Sequence, residues 1–278
     1  MAKYTLDKVF DRLKKIMEFF PDSNKTATFY VVVHVLELLF LDEQFSLWHR
    51  YINWCKFRKF GSWLKSVKME VSLKFYHGVM LLFQDEYIKS YKILKFWVDN
   101  TNEEDLKAQR KIQQFLVPLS ILLGEVPHKG LLEKYKLTLY EDLVVACWNG
   151  NLALFVKTLD NYRQRGMQKN LYRMIEKLRN VVNRNIFKYA CESQFFSHVQ
   201  FKFLRKAYNK EVRKAIKLEN NYIFDVINNL ELAFILSDLI SKGYIKCSLS
   251  VETKSIELDK SNAFPKLKTV ITRNKNKI

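Results

Sequence analysis

Glycine and proline are scarce in this chain of 278 residues, which contains seven glycines and four prolines. An all-β fold needs many tight turns, and those turns depend on these two residues. The composition therefore disfavours an all-β fold and favours long helices with short connections. At this length the chain can bury a substantial core in one or two units. Aromatic residues make up 14% of the sequence, so we expect them to dominate the packing between helices.

Cysteines are also few, and no spacing among them suits a metal. The four lie far apart, at Cys55, Cys147, Cys191 and Cys247, whereas zinc ligands pair within a few residues. The five histidines are isolated, and no glycine-rich phosphate loop occurs. We therefore expect free thiols, buried or half-buried, in a reducing compartment. We predict no metal, no cofactor and no catalytic residue, and an enzyme is disfavoured.

No apolar run is long enough to span a bilayer, which takes about 20 residues. The most apolar stretch, 29–41, is shorter and contains His34 and Glu37. We interpret it as a core helix and His34 as a buried core histidine. The N-terminus alternates charged and apolar residues, so we expect no signal peptide. The sequence thus predicts no membrane partner.

Helical patterns dominate the sequence. Apolar residues recur at helical spacing in a series of segments, which are 9–20, 29–41, 45–60, 63–83, 86–98, 106–123, 131–135, 139–148, 152–162, 171–191 and 201–208. We expect Pro118 to kink or restart its helix, and 209–221 to be a loop or a solvated helix. Successive helices with short links predict a helical repeat of antiparallel pairs.

The stretch from Asn228 to Asp259 carries the only strand pattern in the chain. Asn228 and Glu231 have the spacing of a capping box, and Gly243 follows the last helical turn. Alternating residues then predict a strand near 245–249 and, after a polar turn at 251–254, a return strand at 255–258. A helix that leads into a hairpin is typical of the end of a winged-helix module.

Positive charge is the strongest bulk property, with a net charge of +18. Between residues 161 and 220, fifteen lysines and arginines stand against four acidic residues. Such clustering is the pattern expected for phosphate binding. A solvated basic face without a ligand stays the alternative, as does packing for Tyr208, Tyr222 and Tyr244, which could otherwise stack on bases.

One run of residues resembles a known family. The segment 141–159, EDLVVACWNGNLALFVKTL, is similar to the helix–Gly-Asn–helix signature of PCI domains, which are scaffold domains of the proteasome lid, the signalosome and translation initiation factor three. The resemblance implies a mostly α fold, in which a right-handed helical repeat of TPR-like helix pairs is capped by a C-terminal winged helix with a small β-hairpin.

Three further segments resemble one branch of that family. They are FLVPLSILLGEVP at 115–127, the long helix at 171–187, and NAFPKL at 262–267. The branch comprises the PCI subunit of the transcription-coupled mRNA export complex (TREX-type) and its signalosome-associated sister. The resemblance covers about 106–267 and is weak before that. It implies N-terminal helical repeats at 1–100, the helical part of the PCI domain at 101–165, the long helix and winged helix at 166–268, and a disordered tail at 269–278.

The resemblance also implies a function without catalysis. Such a subunit pairs with a larger PCI-containing scaffold protein and with a small acidic, disordered subunit that is shared with the proteasome lid. The paired winged helices bind RNA or DNA without sequence specificity. The implied location is the nucleus, with the nuclear pore as one candidate site.

Two groups of candidate residues follow. For nucleic acid we select cations near and within the winged helix, with Lys169, Arg173, Lys177 and Arg184 expected on one helix face; the full set is Lys169, Arg173, Lys177, Arg184, Lys202, Arg205, Lys206, Lys242, Lys246 and Lys254. For a protein partner we select the hairpin, whose edge is open to pairing, and the closing motif: Tyr244, Ile245, Leu249, Ile256, Leu258 and Phe264.

Two other functions stay open. The chain could be a purely protein-binding PCI subunit of the proteasome lid, the signalosome or initiation factor three. It could also be a sequence-specific winged-helix transcription factor, although the helix at 230–242 is mostly apolar and offers few side chains for reading bases.

Overall fold

The computed structural model describes residues 15, 25–41, 47–48, 67–101, 105–164, 169–193, 197–218 and 225–275. The chain forms two compact units, Met1–Ile112 and Gln113–Ile278. The predicted helices at 9–20 and 45–60 fall largely outside the described residues, as does Cys55. The predicted division at residue 100 stays a prediction.

The N-terminal unit consists of helices packed in sequence. They are α1 (Lys25–Leu41), α2 (Val67–Phe83), α3 (Tyr87–Asn100) and the start of α4 (Leu106–Leu122). The α2 and α3 helices approach closely, because a Cβ on Gly78 would lie 2.6 Å from the Leu94 side chain. The Ser90 hydroxyl donates a buried hydrogen bond of 2.7 Å to the Gly78 carbonyl. The short link and close packing between α2 and α3 are the arrangement predicted for the repeat, whereas most of the segment between α1 and α2 lies outside the described residues.

Aromatic side chains fill the core of this unit, as the composition predicts. The Phe40 ring makes edge-on contacts with Trp48, Phe75 and Tyr76. His34, however, is not a core residue: its side chain is exposed and lies 3.6 Å from Glu37. It sits on the outer face of α1, where helical spacing turns it away from the buried positions Val35 and Leu36.

The C-terminal unit combines helix pairs with a small sheet. Its helices are the end of α4, α5 (Lys129–Lys134), α6 (Leu139–Asn149), α7 (Leu152–Gln164), α8 (Lys169–Lys177), α9 (Arg179–Glu192), α10 (Phe201–Leu218), α11 (Asn229–Ser241) and α12 (Leu267–Lys275). Its strands are β1 (His198–Gln200), β2 (Cys247–Ser250) and β3 (Ser255–Leu258), in the antiparallel order β1–β3–β2. The succession α9–β1–α10–α11–β2–β3 forms a winged helix. The predicted fold class, a helical domain capped by a winged helix, is confirmed.

The α4 helix continues through Pro118 instead of restarting there. Proline has no amide to donate to the carbonyl four residues earlier, which is that of Gln114. The hydroxyl of Tyr140 on α6 donates to this Gln114 carbonyl at 2.9 Å. A side chain from α6 thus satisfies the carbonyl acceptor that Pro118 leaves free, so α4 tolerates the proline.

Several boundaries differ from the predicted ones. The long helix expected at 171–191 is divided at the buried Leu178 into α8 and α9. The short helix expected at 201–208 continues through the segment expected to be a loop or a solvated helix, so that one helix, α10, extends as far as Leu218. The tail expected to be disordered is helical to Lys275, because Leu267 and Val270 are buried. Strand β1 was not predicted, since three residues with one apolar side chain carry no periodic pattern.

The predicted capping box at the start of α11 is present. The Asn228 side chain accepts from the amides of Leu230 and Glu231, and Glu231 accepts from the Asn228 amide. We expect Asn228→Ala to lower the free energy of unfolding by about 1 kcal/mol, because it leaves two amides of the first turn unpaired. Thermal unfolding of the two proteins measures this effect. Asn228→Asp, which keeps the acceptor, serves as the control and should change stability by only a few tenths of that amount.

Candidate nucleic-acid interface

Six of the fifteen cations between residues 161 and 220 lie on one face of α10. This helix buries Phe201, Leu204, Tyr208 and Val212 against the core. The opposite side carries exposed cations at helical spacing, which we call the α10 basic face: Lys202, Lys206, Lys210, Arg213, Lys214 and Lys217. Arg205, also predicted as a contact, is half-buried beside this face. The division of α10 into a core side and a cationic side follows from the period of its sequence.

Few acidic groups neutralise this face. Glu211 lies 2.6 Å from Lys214 and is the one acidic residue on α10 among the described residues. No ion pair within 4.0 Å involves Lys206, Lys210, Arg213 or Lys217 in the described part of the chain. Their charges face a surface groove of about 660 Å³, which is lined by the cations of the α10 basic face except Lys202, together with Ala190, Ser193, Phe203 and Ala207. The groove can accept an extended polyanion.

Arg184, predicted to bind phosphate, lies in the interior instead. Its side chain is only 7% exposed, and Nη2 donates to the carbonyls of Phe264 and Pro265 at 3.1 and 3.0 Å. Nη1 donates to Asn185 Oδ1 at 2.7 Å. Burial lowers the pKa of the guanidinium, which nonetheless stays charged at neutral pH. Arg184 therefore fastens the closing segment 264–265 onto α9, and we remove it from the candidate interface.

We expect Arg184→Gln to lower the free energy of unfolding by about 2 kcal/mol. The substitution removes charge-assisted hydrogen bonds and leaves two carbonyls without donors. Chemical denaturation measures the loss. Nucleic-acid affinity at a temperature where the variant stays folded should equal that of the unmodified chain. A large loss of affinity in the folded variant would contradict the structural role.

The other predicted cations lie on separate elements. Arg173 and Lys177 are exposed, one turn apart on α8, which packs on α7 and α9. Lys169 begins α8, but its side chain lies outside the described residues. Lys242 follows α11 and pairs with Asp238 at 2.7 Å, while Lys246 precedes β2. Lys254 is exposed in the turn between β2 and β3. Of the predicted set, α10 brings Lys202, Arg205 and Lys206 together.

The predicted partner-binding residues divide by burial. Tyr244, Ile245 and Ile256 lie in the core of the winged helix and are at most 4% exposed, and burial raises the pKa of Tyr244 to about 12. Tyr244 and Ile245 precede β2, and Ile256 lies on the central strand β3. Their side chains are thus not available to a partner. Leu249, Leu258 and Phe264 are half-buried, and β2 forms one edge of the sheet, as expected of an open hairpin edge.

A second groove, of about 400 Å³, is lined by the ends of α4 and α6, the middle of α9 and the start of α12. Val126, Trp148 and Tyr189 are exposed apolar groups along it. The Tyr189 hydroxyl donates to the Trp148 carbonyl at 2.8 Å, which fixes the two aromatic residues side by side. Lys188, Lys266 and Lys268 add positive charge. This groove combines aromatic surface with cations.

The turn between α6 and α7 explains the Gly-Asn signature. Gly150 has a φ of 64°, and a Cβ there would lie 2.8 Å from the backbone nitrogen of Ile186. The Asn151 side chain caps α7 by accepting from the Leu154 amide at 3.0 Å. The Asn185 amide donates to the Cys147 carbonyl at 2.8 Å. The motif therefore lets α9 pack directly on the helix turn.

Comparison with known proteins finds relatives whose names include the PCI domain. No protein-family model matches the chain. A PCI domain-containing protein 2 homolog of Dictyostelium discoideum is 29% identical over 248 residues, which cover 88% of this chain and 55% of that protein. The PCI domain-containing protein 2 of Xenopus laevis is 25% identical over 90% of this chain and 60% of its own length. The predicted resemblance to the PCI-domain family is confirmed.

A third relative carries a different name. The Protein CSN12 homolog of Gibberella zeae is 26% identical over 208 residues, 70% of this chain and 44% of that protein. The chain thus spans about half the length of the curated relatives it matches.

The helix of this PCI winged helix that would enter a DNA groove exposes an apolar surface. On α11, Leu230 and Phe234 are one turn apart and are 72% and 77% exposed. Glu231 and Asp238 flank them, and neither apolar side chain can hydrogen-bond a base edge. This surface suits contact with another protein better than reading of a sequence.

The described residues contain no cluster of metal-binding side chains. No group of three or more histidine, cysteine, aspartate or glutamate side chains there could hold a metal ion. The three described cysteines are free, and they are buried or half-buried, as predicted. Burial raises the pKa of Cys191 to about 12 and that of Cys247 to about 11, so both thiols stay protonated and unreactive near neutral pH. None of the described helices combines the length and apolar character needed to cross a membrane.

The sequence prediction missed the second half of the α10 basic face. Lys210, Arg213, Lys214 and Lys217 were counted in the charged cluster but not selected as contacts, because 209–221 carries few apolar residues. The spacing of Lys206, Lys210, Arg213 and Lys217 repeats every three or four residues and places them on the face of a continuous helix. That spacing is the signal that could have identified them.

Proposed function

We propose that this chain is a non-enzymatic scaffold subunit of the nuclear transcription-coupled mRNA export complex, and that it binds RNA or DNA through the α10 basic face. The observation that carries the proposal is the row of cations along α10, of which only Lys214 has an acidic partner within the described residues. Cations in a row on a rigid helix match the repeating phosphates of a nucleic acid.

The contact is with the backbone and does not depend on sequence. The α10 basic face consists of lysines and one arginine. Each lysine binds phosphate as a point charge, and the arginine binds it through its planar guanidinium. The exposed part of α11 offers Leu230 and Phe234 instead of base-reading groups. The exposed Lys254 on the wing adds a phosphate contact outside α10.

Two surfaces suit the protein partners that the PCI resemblance implies. The exposed Leu230 and Phe234 on α11 suit the winged helix of a larger PCI scaffold protein, because such an apolar pair is stabilised by burial. The groove at Trp148 and Tyr189 suits the small acidic subunit, since its rim carries Lys188, Lys266 and Lys268. With these partners the chain would work in the nucleus.

Binding measured against salt concentration tests the nucleic-acid function. The full chain, titrated with labelled single- and double-stranded RNA and DNA between 50 and 200 mM salt, should bind all sequences alike. The logarithm of the binding constant should fall linearly with the logarithm of the salt concentration, with a slope of roughly −3 to −5 for four to six phosphate contacts. A salt-independent affinity would contradict the proposal.

A purely protein-binding PCI subunit is the second candidate, and the exposed aromatic residues favour it. Trp148, Tyr189 and Phe234 are all exposed in the C-terminal unit, and aromatic groups of this kind are enriched in protein interfaces. Affinity purification of the tagged chain separates the two candidates. Recovery of one large PCI scaffold protein supports the export complex, whereas recovery of proteasome-lid, signalosome or initiation-factor subunits supports the alternative.

A further inference from the structure

We propose that Phe203 stacks on a base of single-stranded nucleic acid whose phosphates lie along the α10 basic face, so that this groove prefers single strands to duplexes. This inference rests on the proposed nucleic-acid function and specifies its ligand class. It follows from the position of one exposed aromatic ring among the cations.

Phe203 lies on the cationic side of α10 and not on its core side. Its neighbours Phe201 and Leu204 are fully buried, whereas Phe203 is 43% exposed. Lys206 and Lys210 follow it by three and seven residues, which places all three on one face. An aromatic ring at the head of a row of cations is the combination by which proteins bind single strands, with cations for the backbone and a ring for the bases.

The shape of the groove leaves room beside the ring. Ala190, Ser193 and Ala207 line the groove next to Phe203, and all three have small side chains. From Phe203 to Lys217 the helix rises about 21 Å, which corresponds to roughly six nucleotides at the rise of a stacked strand. A planar base can therefore lie against the ring while the following phosphates reach the lysines.

A duplex cannot use the ring in the same way. Its bases are paired and stacked on one another, so only the backbone is within reach of a side chain at the surface. Single and double strands should therefore both bind the α10 basic face, but a single strand gains the stacking contact with Phe203 in addition. The preference depends on the π-face of the ring and not on apolar area alone.

The test compares Phe203→Ala, Phe203→Leu and Phe203→Trp in the full chain, using labelled 12-nucleotide poly(U) and a 12-base-pair duplex at fixed salt. We expect alanine and leucine each to lower affinity for poly(U) roughly 10-fold, and tryptophan to retain it. Duplex affinity should change less than about twofold in all three. Phe96→Ala, which removes a ring of similar exposure on α3 (37% against 43% for Phe203), is the matched control and should leave both affinities unchanged.

Three results would overturn the inference: equal losses for poly(U) and duplex, full affinity for poly(U) in Phe203→Leu, or no effect of any Phe203 substitution. Full affinity in the leucine variant would show that Phe203 makes an apolar contact that does not need an aromatic ring, as in a contact with a protein partner. The outcome is separate from the proposed function, which fails if the unmodified chain binds neither probe. If lysine substitutions on α10 abolish binding while the Phe203 variants keep it, the stacking inference alone is wrong.

Discussion

Replacing Lys206, Lys210, Arg213 and Lys217 together with glutamine is expected to lower affinity for RNA and DNA by roughly 100- to 1,000-fold at 0.1 M salt. Each phosphate contact contributes about 0.7 to 0.9 to the slope of log affinity against log salt, so the slope should fall by about 3 when four contacts are lost. All four side chains are on the solvent face of α10, so the fold should be retained. Fluorescence anisotropy against salt measures both quantities.

The matched control changes the same net charge elsewhere. Lys107, Lys136, Lys157 and Lys260 are exposed and lie outside α10. Replacing these four with glutamine should lower affinity only by the general loss of positive field, about threefold or less at 0.1 M salt, because exposed charges beyond about 10 Å are screened. Equal losses in the two quadruple variants would mean that total charge, and not the α10 basic face, determines binding.

The periodic sequence predicted those parts of the fold that depend on local pattern. The capping box at Asn228, the helix end at Gly243 and the return strand at 255–258 are all specified within a few residues and were found where the pattern placed them. Strand β2 begins at Cys247, two residues later than predicted. Strand β1 could not be predicted, because its three residues become a strand only by pairing with Ser255–Glu257 on β3. Pairing between distant segments leaves no periodic trace in so short a stretch.

Burial decided which predicted site residues changed role. Arg184 has the spacing of a surface cation, and nothing local to it shows that the carbonyls of Phe264 and Pro265, eighty residues later, will enclose its guanidinium. Tyr244 and Ile245 likewise precede β2 and are both buried, which the predicted alternation of faces does not show. The charge cluster on α10 was predictable from composition, whereas its alignment required knowing that the helix continues to Leu218.

The turn at Gly150 should be highly sensitive to a single added methyl group. We expect Gly150→Ala to lower the free energy of unfolding by about 3 to 4 kcal/mol, combining about 1 kcal/mol for an L-residue at positive φ with overpacking against α9. The new Cβ would lie 2.8 Å from the Ile186 nitrogen, a backbone atom that cannot rotate away. Thermal or chemical unfolding of the full chain measures the loss.

Gly243→Ala separates the two causes. Gly243 also has a positive φ, 73°, but no atom lies within 4 Å of where its Cβ would be. This variant should lose only about 1 kcal/mol, the conformational part alone. If both variants lose the same amount, the close approach of α9 to the turn has no energetic weight. If Gly150→Ala is much less stable than Gly243→Ala, the signature glycine is required because it lets α9 reach the backbone of the α6–α7 turn. At that contact the helical part of the domain is joined to α9, the first helix of the winged helix.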